Sequence, residues 1–180
     1  MDTEKKLWII VPTYNEEESI VHVIEEWLPE IRKNVGKDQF VFCALNDGSK
    51  DKTSVILHEQ QKKYPEIRVI DKENSGHGQT CVFGYREALR NNAEWVFQID
   101  SDGQCDPNYF ALFWNEREKH KVVYGYRRKR EDGYSRFLIS RVVTLVVFVT
   151  TGVFVRDANV PYRLMHASSL KGMIEHIPKD

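Results

Sequence analysis

The chain is poor in cysteine and proline, carries no surplus of either charge, and lacks an apolar run long enough to cross a bilayer. Its three cysteines, Cys43, Cys81 and Cys105, stand far apart with no C-x-x-C pair. That argues against a zinc ribbon, a dithiol redox motif or a disulfide framework, and a reducing compartment is expected. Six prolines in 180 residues form no Pro-rich linker, so one domain, with at most an appendage, is expected. With 26 basic and 27 acidic side chains the formal net charge is −1. A dedicated nucleic-acid binder would show a basic excess to displace phosphate counterions. The longest apolar stretch, Val142 to Val155, is broken by threonines and a glycine and falls short of the ~20 residues of a spanning helix. No P-loop signature, G-x-S-x-G elbow or H-E-x-x-H pair occurs, which removes the sequence basis for P-loop, serine-hydrolase and zincin chemistry. No secretory leader precedes Leu7, so the cytoplasm is the expected location.

What is present is a regular alternation of strand-length apolar runs with segments of helical period, the pattern of βαβ units and a mostly parallel sheet. Strands are predicted at 7–11, 40–45, 68–70, 95–99 and 122–124. Asn15 with Glu18 has capping-box spacing, ahead of Ile20, Val23, Ile24, Trp27, Leu28 and Ile31 at helical intervals. Asp51 is expected to cap a second helix, Gly76-His77-Gly78 to lead into a third, and Pro107 to open a fourth. After Tyr124 the character changes to a basic run, Arg127 to Arg130, and then a long apolar segment. Arg136, Ser140 and Thr144, four residues apart, would form one polar stripe on that segment. The expected division is a core at 1–133 and an acceptor-side appendage at 134–180.

In an open α/β sheet, ligands bind where the carboxyl ends of the strands meet helix N-termini. Four polar clusters fall at those ends: Pro12 to Glu16, Asn46 to Ser49, Asp71 to Gly78, and Asp100 to Gln104. Any one of them reads as turn chemistry, but four in register describe a crevice. Asp100 and Asp102, two apart after a hydrophobic strand, project to one side of an extended backbone. Like charges that close are relieved by protonation or a cation. Two carboxylates and the Gln104 amide are all oxygen donors, which suit Mg²⁺ or Mn²⁺ held partly by substrate phosphates. Backbone amides at Gly76, at a helix start, are candidates for a phosphate.

These clusters, in order and spacing, resemble the family 2 glycosyltransferases of GT-A fold. Gly125-Tyr126-Arg127, Ser135 to Ser140 and Asp157 to Arg163 narrow the resemblance to the polyprenyl-phosphate sugar transferase and dolichyl-phosphate mannose synthase branch. The resemblance implies a Rossmann-like, mostly parallel sheet flanked by helices, with a C-terminal amphipathic helical appendage. It assigns Pro12, Tyr14 and Glu16 to a loop around the nucleoside, Asp47 to the base, and Asp100, Asp102 and Gln104 to metal and diphosphate. It places Arg127, Arg136 and Ser140 on the lipid-phosphate or sugar side, with Asp157 starting the element behind the acceptor. Two departures stand out: Asn46 occupies a position where aspartate is common, and His77 one where lysine or arginine is frequent. Family members also continue beyond the point where this chain ends, so a C-terminal truncation is expected.

The implied reaction moves a sugar, with inversion, from a UDP- or GDP-linked donor to a polyprenyl phosphate. A lipid phosphate is ionised near neutral pH, its second pKa being about 6, so no general base is required. Asp102, Arg127 and Arg136 are the expected catalytic residues, with Arg163 a further cation at the acceptor. The 135–151 segment can rest on a membrane surface at its cytoplasmic face or pack against protein, including a second copy of the chain. Transfer to a saccharide hydroxyl and a non-catalytic nucleotide-binding, membrane-associated module remain alternatives.

Overall fold

The computed structural model describes residues 6–125 and 162–177. The chain runs β1 (Leu7–Thr13), α1 (Ile20–Val35), β2 (Phe40–Asp47), α2 (Thr53–Lys63), β3 (Ile67–Lys72), α3 (His77–Arg90) and β4 (Trp95–Gln98). A single 3₁₀ turn (Pro107–Tyr109) leads into α4 (Phe110–Glu116), followed by β5 (Val122–Tyr124), β6 (Arg163–His166) and α5 (Ala167–Ile174). The sheet order is β3-β2-β1-β4-β6-β5. Strands β1 to β4 pair in parallel and β6 runs antiparallel to β4. Among the described residues, 6–123 and 162–177 form one compact unit. Arg127, Arg136, Ser140, Asp157 and the 135–151 segment lie outside the described residues.

Strand periodicity builds two cores. Leu7, Ile9 and Val11 face one side of the sheet, where α1, α2 and α4 pack, while Trp8 and Ile10 face the other, beneath α3 and α5. The same alternation puts Phe42 and Ala44 on the first side and Cys43 and Leu45 on the second. Helix α1 buries Ile20, Val23, Ile24, Trp27, Leu28 and Ile31 as the 3.6-residue spacing requires, each such side chain contributing roughly 1.5–3 kcal/mol. Helix α3 lies so close to the sheet that a Cβ on Gly84 would come within 2.5 Å of Leu45 Cδ1 and 2.6 Å of Ile10 Cγ2. Only glycine lets the helix backbone approach at that point.

Two local expectations change. Helix α1 begins at Ile20, with Ser19 at its cap position. Asn15 sits in the left-handed region at φ 54°, and its Oδ1 accepts from the Lys50 amide at 2.8 Å; it clasps a neighbouring loop instead of capping a helix. Residues 163–174, grouped by sequence with the appendage, return to the sheet as β6 and α5. A four-residue strand following a long insertion leaves too short a pattern to assign from sequence.

Candidate functional site

The strand order reverses between β1 and β4, so the loops after these strands diverge to opposite sides and open a crevice at their carboxyl ends. The loops after β1, β2, β3 and β4 all reach that edge, and hydrogen bonds lock them together. After β1, the Asn15 amide donates to Ser49 Oγ at 3.0 Å, the Glu16 amide to Thr53 Oγ1 at 2.8 Å, and the Glu17 amide to Asp51 Oδ2 at 3.2 Å. In return the Lys50 and Lys52 amides donate to Asn15 Oδ1 and Glu17 Oε2. Across the switch point, Ser101 Oγ donates to the Pro12 carbonyl at 2.9 Å and Ser19 Oγ to the Ser101 carbonyl at 3.0 Å. Pro12 is buried, whereas Tyr14 presents an exposed ring beside the crevice. The same Ser19 hydroxyl also lies against the Glu16 carboxylate, so its one proton is shared between that carboxylate and the Ser101 carbonyl.

Register sorts the polar residues at the ends of β2 and β3 into two clusters. Asn46 pairs with Asp71, and Asp47 with Lys72; successive residues point to opposite faces. On the α2 side, Asp71 accepts from Asn46 Nδ2 at 2.7 Å and Ser54 Oγ at 2.8 Å, and bonds His58 Nε2 at 2.6 Å. Burial would raise the Asp71 pKa, but these partners outweigh it and hold the carboxyl below its usual range. An aspartate at 46 would face a second carboxylate, so the amide at Asn46 suits the Asp71 opposite it. On the α3 side, the buried Asp47 accepts from the Ser75 and Gly76 amides, each at 2.9 Å, and from Lys72 Nζ. Here too burial acts upward, and the hydrogen bonds from Lys72, the Ser75 amide and Thr80, with the Lys72 charge, hold the Asp47 pKa low. The Gly76 amide is therefore committed to Asp47. Gly48, at φ 69°, belongs to the same arrangement, since a Cβ there would lie 2.9 Å from the Asn74 amide nitrogen.

The acidic loop follows β4. Asp102 is exposed, and its Oδ1 accepts from the Gln104 amide at 2.9 Å, shaping the turn through Gly103. The Gln104 side chain is exposed as well. Asp100 is half-buried, with Oδ1 3.7 Å from His77 Nε2 at the start of α3. His77 Nε2 lies 3.6 Å from Cys81 Sγ. Burial, reinforced by the Asp100 charge and opposed by Arg163, pushes the Cys81 thiol up to about 12, so it stays protonated and unreactive. Arg163 stands opposite Gln98 in the β4–β6 register, two positions before Asp100, which brings this acceptor-side candidate to the same edge. Among the described residues no three His, Cys, Asp or Glu side chains group closely enough to hold an ion by themselves. The donor set nevertheless fits a hard cation: Asp100 and Asp102 are oxygen donors at the crevice mouth, and ions such as Mg²⁺ take one or two carboxylates with substrate phosphates.

Pro12, Tyr14, Glu16, Asp47, Gly76, Asp100, Asp102, Gln104 and Arg163 are candidates from sequence alone, and the fold brings all of them to one edge. The clasp of Asn15, Ser49, Asp51 and Thr53, and the bonds of Lys72 and Asp71, emerge only in the fold. Their partners on neighbouring elements lie 13 to 37 residues away in sequence. Lys72 as the last residue of a strand was the available signal.

An open α/β domain with its loops gathered at a parallel-strand switch point is the architecture of a nucleotide-binding crevice. Residues 8–174 match Glycosyl transferase family 2, and the chain belongs to that family. A dolichyl-phosphate beta-glucosyltransferase of Trichomonas vaginalis is 28% identical over 178 residues, covering 90% of this chain and 54% of its own length. An undecaprenyl-phosphate 4-deoxy-4-formamido-L-arabinose transferase of Pectobacterium atrosepticum is 29% identical over 161 residues, covering 87% and 47%. This chain thus spans about half the length of these curated relatives. Among solved structures, residues 1–349 of S. aureus TarS superpose with TM-score 0.62 at 23% identity, covering 97% of this chain and 51% of that one. Glucosyl-3-phosphoglycerate synthase from Mycobacterium tuberculosis, in complex with Mn²⁺, UDP-glucose and phosphoglyceric acid, gives 0.65 at 18% identity, covering 91% and 57%. The fold is GT-A.

Proposed function

We propose that this chain is the catalytic part of an inverting hexosyltransferase that passes a sugar from a nucleotide diphosphate to a polyprenyl phosphate. The observation that carries the reading is the position of Asp100 and Asp102 beside the β1/β4 switch point, joined to the nucleoside-side loops by the Ser101 and Ser19 bonds. The named activities of the polyprenyl-phosphate relatives support the acceptor class. The Mn²⁺ and UDP-glucose bound to the M. tuberculosis structure support the donor and the ion.

Each part of the edge has a task in this reading. The clasped loops after β1 and β2 would hold the nucleoside, with Pro12 and Glu16 fixed by their bonds and the Tyr14 ring available for stacking. Asp100, Asp102 and Gln104 would hold Mg²⁺ or Mn²⁺, which supplies Lewis-acid relief of the charge growing on the departing diphosphate. Arg163, and Arg127 and Arg136 outside the described residues, would draw the lipid phosphate against the donor by bidentate pairing. Ser140 and Asp157 complete the proposed acceptor side. The lipid phosphate is already an anion, so these cations position it and no residue need remove a proton. No helix among the described residues is long and apolar enough to cross a membrane. Access to the lipid is assigned to the 135–151 segment, resting on the cytoplasmic face.

Calorimetric titration with UDP and GDP, with and without Mn²⁺, tests the donor site. Asp102→Asn keeps the acceptor for the Gln104 amide and removes the charge, so it should abolish the metal-dependent part of binding while leaving the turn intact. Undiminished metal-dependent affinity in that variant would refute the coordination set. For the acceptor, Arg136→Ala should suppress transfer to polyprenyl phosphate in detergent without weakening nucleotide affinity.

A further inference from the structure

Asn46 stands where the family resemblance points to aspartate, and its side chain, 4% exposed, is engaged at both ends. Nδ2 donates to Asp71 Oδ1 at 2.7 Å, and Oδ1 accepts from the Ser49 amide at 3.1 Å. An ionised carboxylate only accepts and a backbone N–H only donates, so these two partners admit one orientation of the amide. The Ser49 bond closes the turn that carries Asp47. Ser49 Oγ in turn accepts from the Asn15 amide at 3.0 Å. A continuous series of bonds therefore runs from Asp71 in β3, through Asn46 and Ser49, to the β1 loop between Tyr14 and Glu16.

Asp71 is itself held by α2. Ser54 and His58, one turn apart on that helix, engage its two oxygens: Ser54 Oγ donates to Oδ1 at 2.8 Å, and His58 Nε2 lies 2.6 Å from Oδ2. Thr53, the neighbour of Ser54, accepts from the Glu16 amide at 2.8 Å. The first turn of α2 thus grips the β1 loop twice, directly through Thr53 and indirectly through Ser54, Asp71, Asn46 and Ser49. Asp71 is the point where the indirect route passes from the helix to the sheet.

We infer that Asp71 is a positioning residue for the nucleoside end of the donor: by orienting the Asn46 amide it holds the 46–49 turn and, through Ser49, the β1 loop in the geometry that receives the nucleoside. The inference rests on the proposed nucleotide-sugar site. It also explains why asparagine serves at 46. The Ser49 amide requires an oxygen there, which asparagine and aspartate both supply, and residue 71 decides which of the two is tolerated. A carboxylate at 71 demands a donor at 46. Reversing the pair, by Asn46→Asp with Asp71→Asn, satisfies every partner again: the new amide at 71 donates to the carboxylate at 46, and its oxygen faces His58. Asp71→Asn alone is also tolerated, because its amide can turn its oxygen to Asn46 Nδ2.

The test is calorimetric titration of UDP and GDP with Mn²⁺ on the unaltered chain, Asn46→Asp, Asp71→Asn and the double variant, each kept below its unfolding transition. Asn46→Asp should weaken the nucleotide about fivefold or more, the worth of one hydrogen bond. Asp71→Asn alone should stay within about twofold of the unaltered chain, and added to Asn46→Asp it should restore affinity to that same range. Hydrogen exchange at the Asn15 amide, the far end of the series, should quicken in Asn46→Asp and slow again in the double variant. Full nucleotide affinity in folded Asn46→Asp would mean that the pair serves stability alone and would overturn the positioning role. A double variant that binds no better than Asn46→Asp would overturn it as well. If Asn46→Asp does not fold, Asp71→Leu serves, since it removes the acceptor at similar volume; unaltered affinity in folded Asp71→Leu would refute the inference. Absence of nucleotide binding by the unaltered chain would refute the transferase reading and this inference with it, an outcome distinct from a failed rescue.

Discussion

Replacing Asn46 by aspartate, the residue that the family resemblance leads one to expect at that position, is costly in this fold. Asn46 Nδ2 now lies 2.7 Å from Asp71 Oδ1. The substituted carboxylate would set two negative charges about 4 Å apart, a repulsion of about 4 kcal/mol at an effective dielectric constant of 20. The Asp71 side chain is 44% exposed, so solvent screening reduces that term to roughly 1–2 kcal/mol. The lost charge-assisted hydrogen bond adds about 1.5 kcal/mol. Asn46→Asp should therefore lose about 2–4 kcal/mol at pH 7. In urea that lowers the unfolding midpoint by roughly 1–2 M for a slope near 2 kcal/mol/M. The sign with pH follows from both states. In the unaltered chain the depressed Asp71 pKa contributes stability that is present above the ordinary carboxylate range and is lost as pH falls through the folded value. In the variant one of the paired carboxyls is raised, so its penalty is present above that raised pKa and is relieved as pH falls through it. The gap between the proteins must shrink toward pH 4. Urea titrations of both proteins at pH 7 and pH 4 decide the matter; equal stability at pH 7, or a gap that widens in acid, refutes the reasoning.

Other perturbations test other parts of the fold. Gly84→Ala gains up to about 1 kcal/mol of helix propensity, but overpacking against Ile10 and Leu45 costs about 1–3 kcal/mol; thermal unfolding should show a net loss, and a raised midpoint would disprove the close approach. Arg32 Nε bonds Glu66 Oε1 at 2.8 Å, with the Glu66 side chain 4% exposed. Burial acting upward on Glu66 is outweighed by the Arg32 hydrogen bond. Arg32→Met removes that counterweight, so the Glu66 pKa should rise above its unfolded value and the variant's deficit should grow as pH rises from 4 to 7, read by urea midpoints. The low Asp47 pKa likewise contributes stability above pH ~4 that disappears in acid; Asp47→Asn should flatten the decline of the melting temperature below that pH.

Sequence determined the strands, most helices and the order of the polar loops, because burial imposes periods of 2 and 3.6 that a linear reading recovers. It also placed Asp100, Asp102, Tyr14 and Asp47 at a common edge, since consecutive parallel strands all end on the same side. Tertiary structure decided which neighbours those residues have. Asn46 and Asp47 are adjacent in sequence, yet alternation and the β2–β3 register send one to Asp71, Ser54 and His58 and the other to Lys72, Ser75 and Gly76. A one-residue shift would exchange those partners, and register depends on the packing of both sheet faces at once. The return of residues 163–166 beside β4 and the clasp between the β1 and β2 loops were hidden for the same reason: segments this short acquire their structure from distant partners and carry too few residues to show a period of their own.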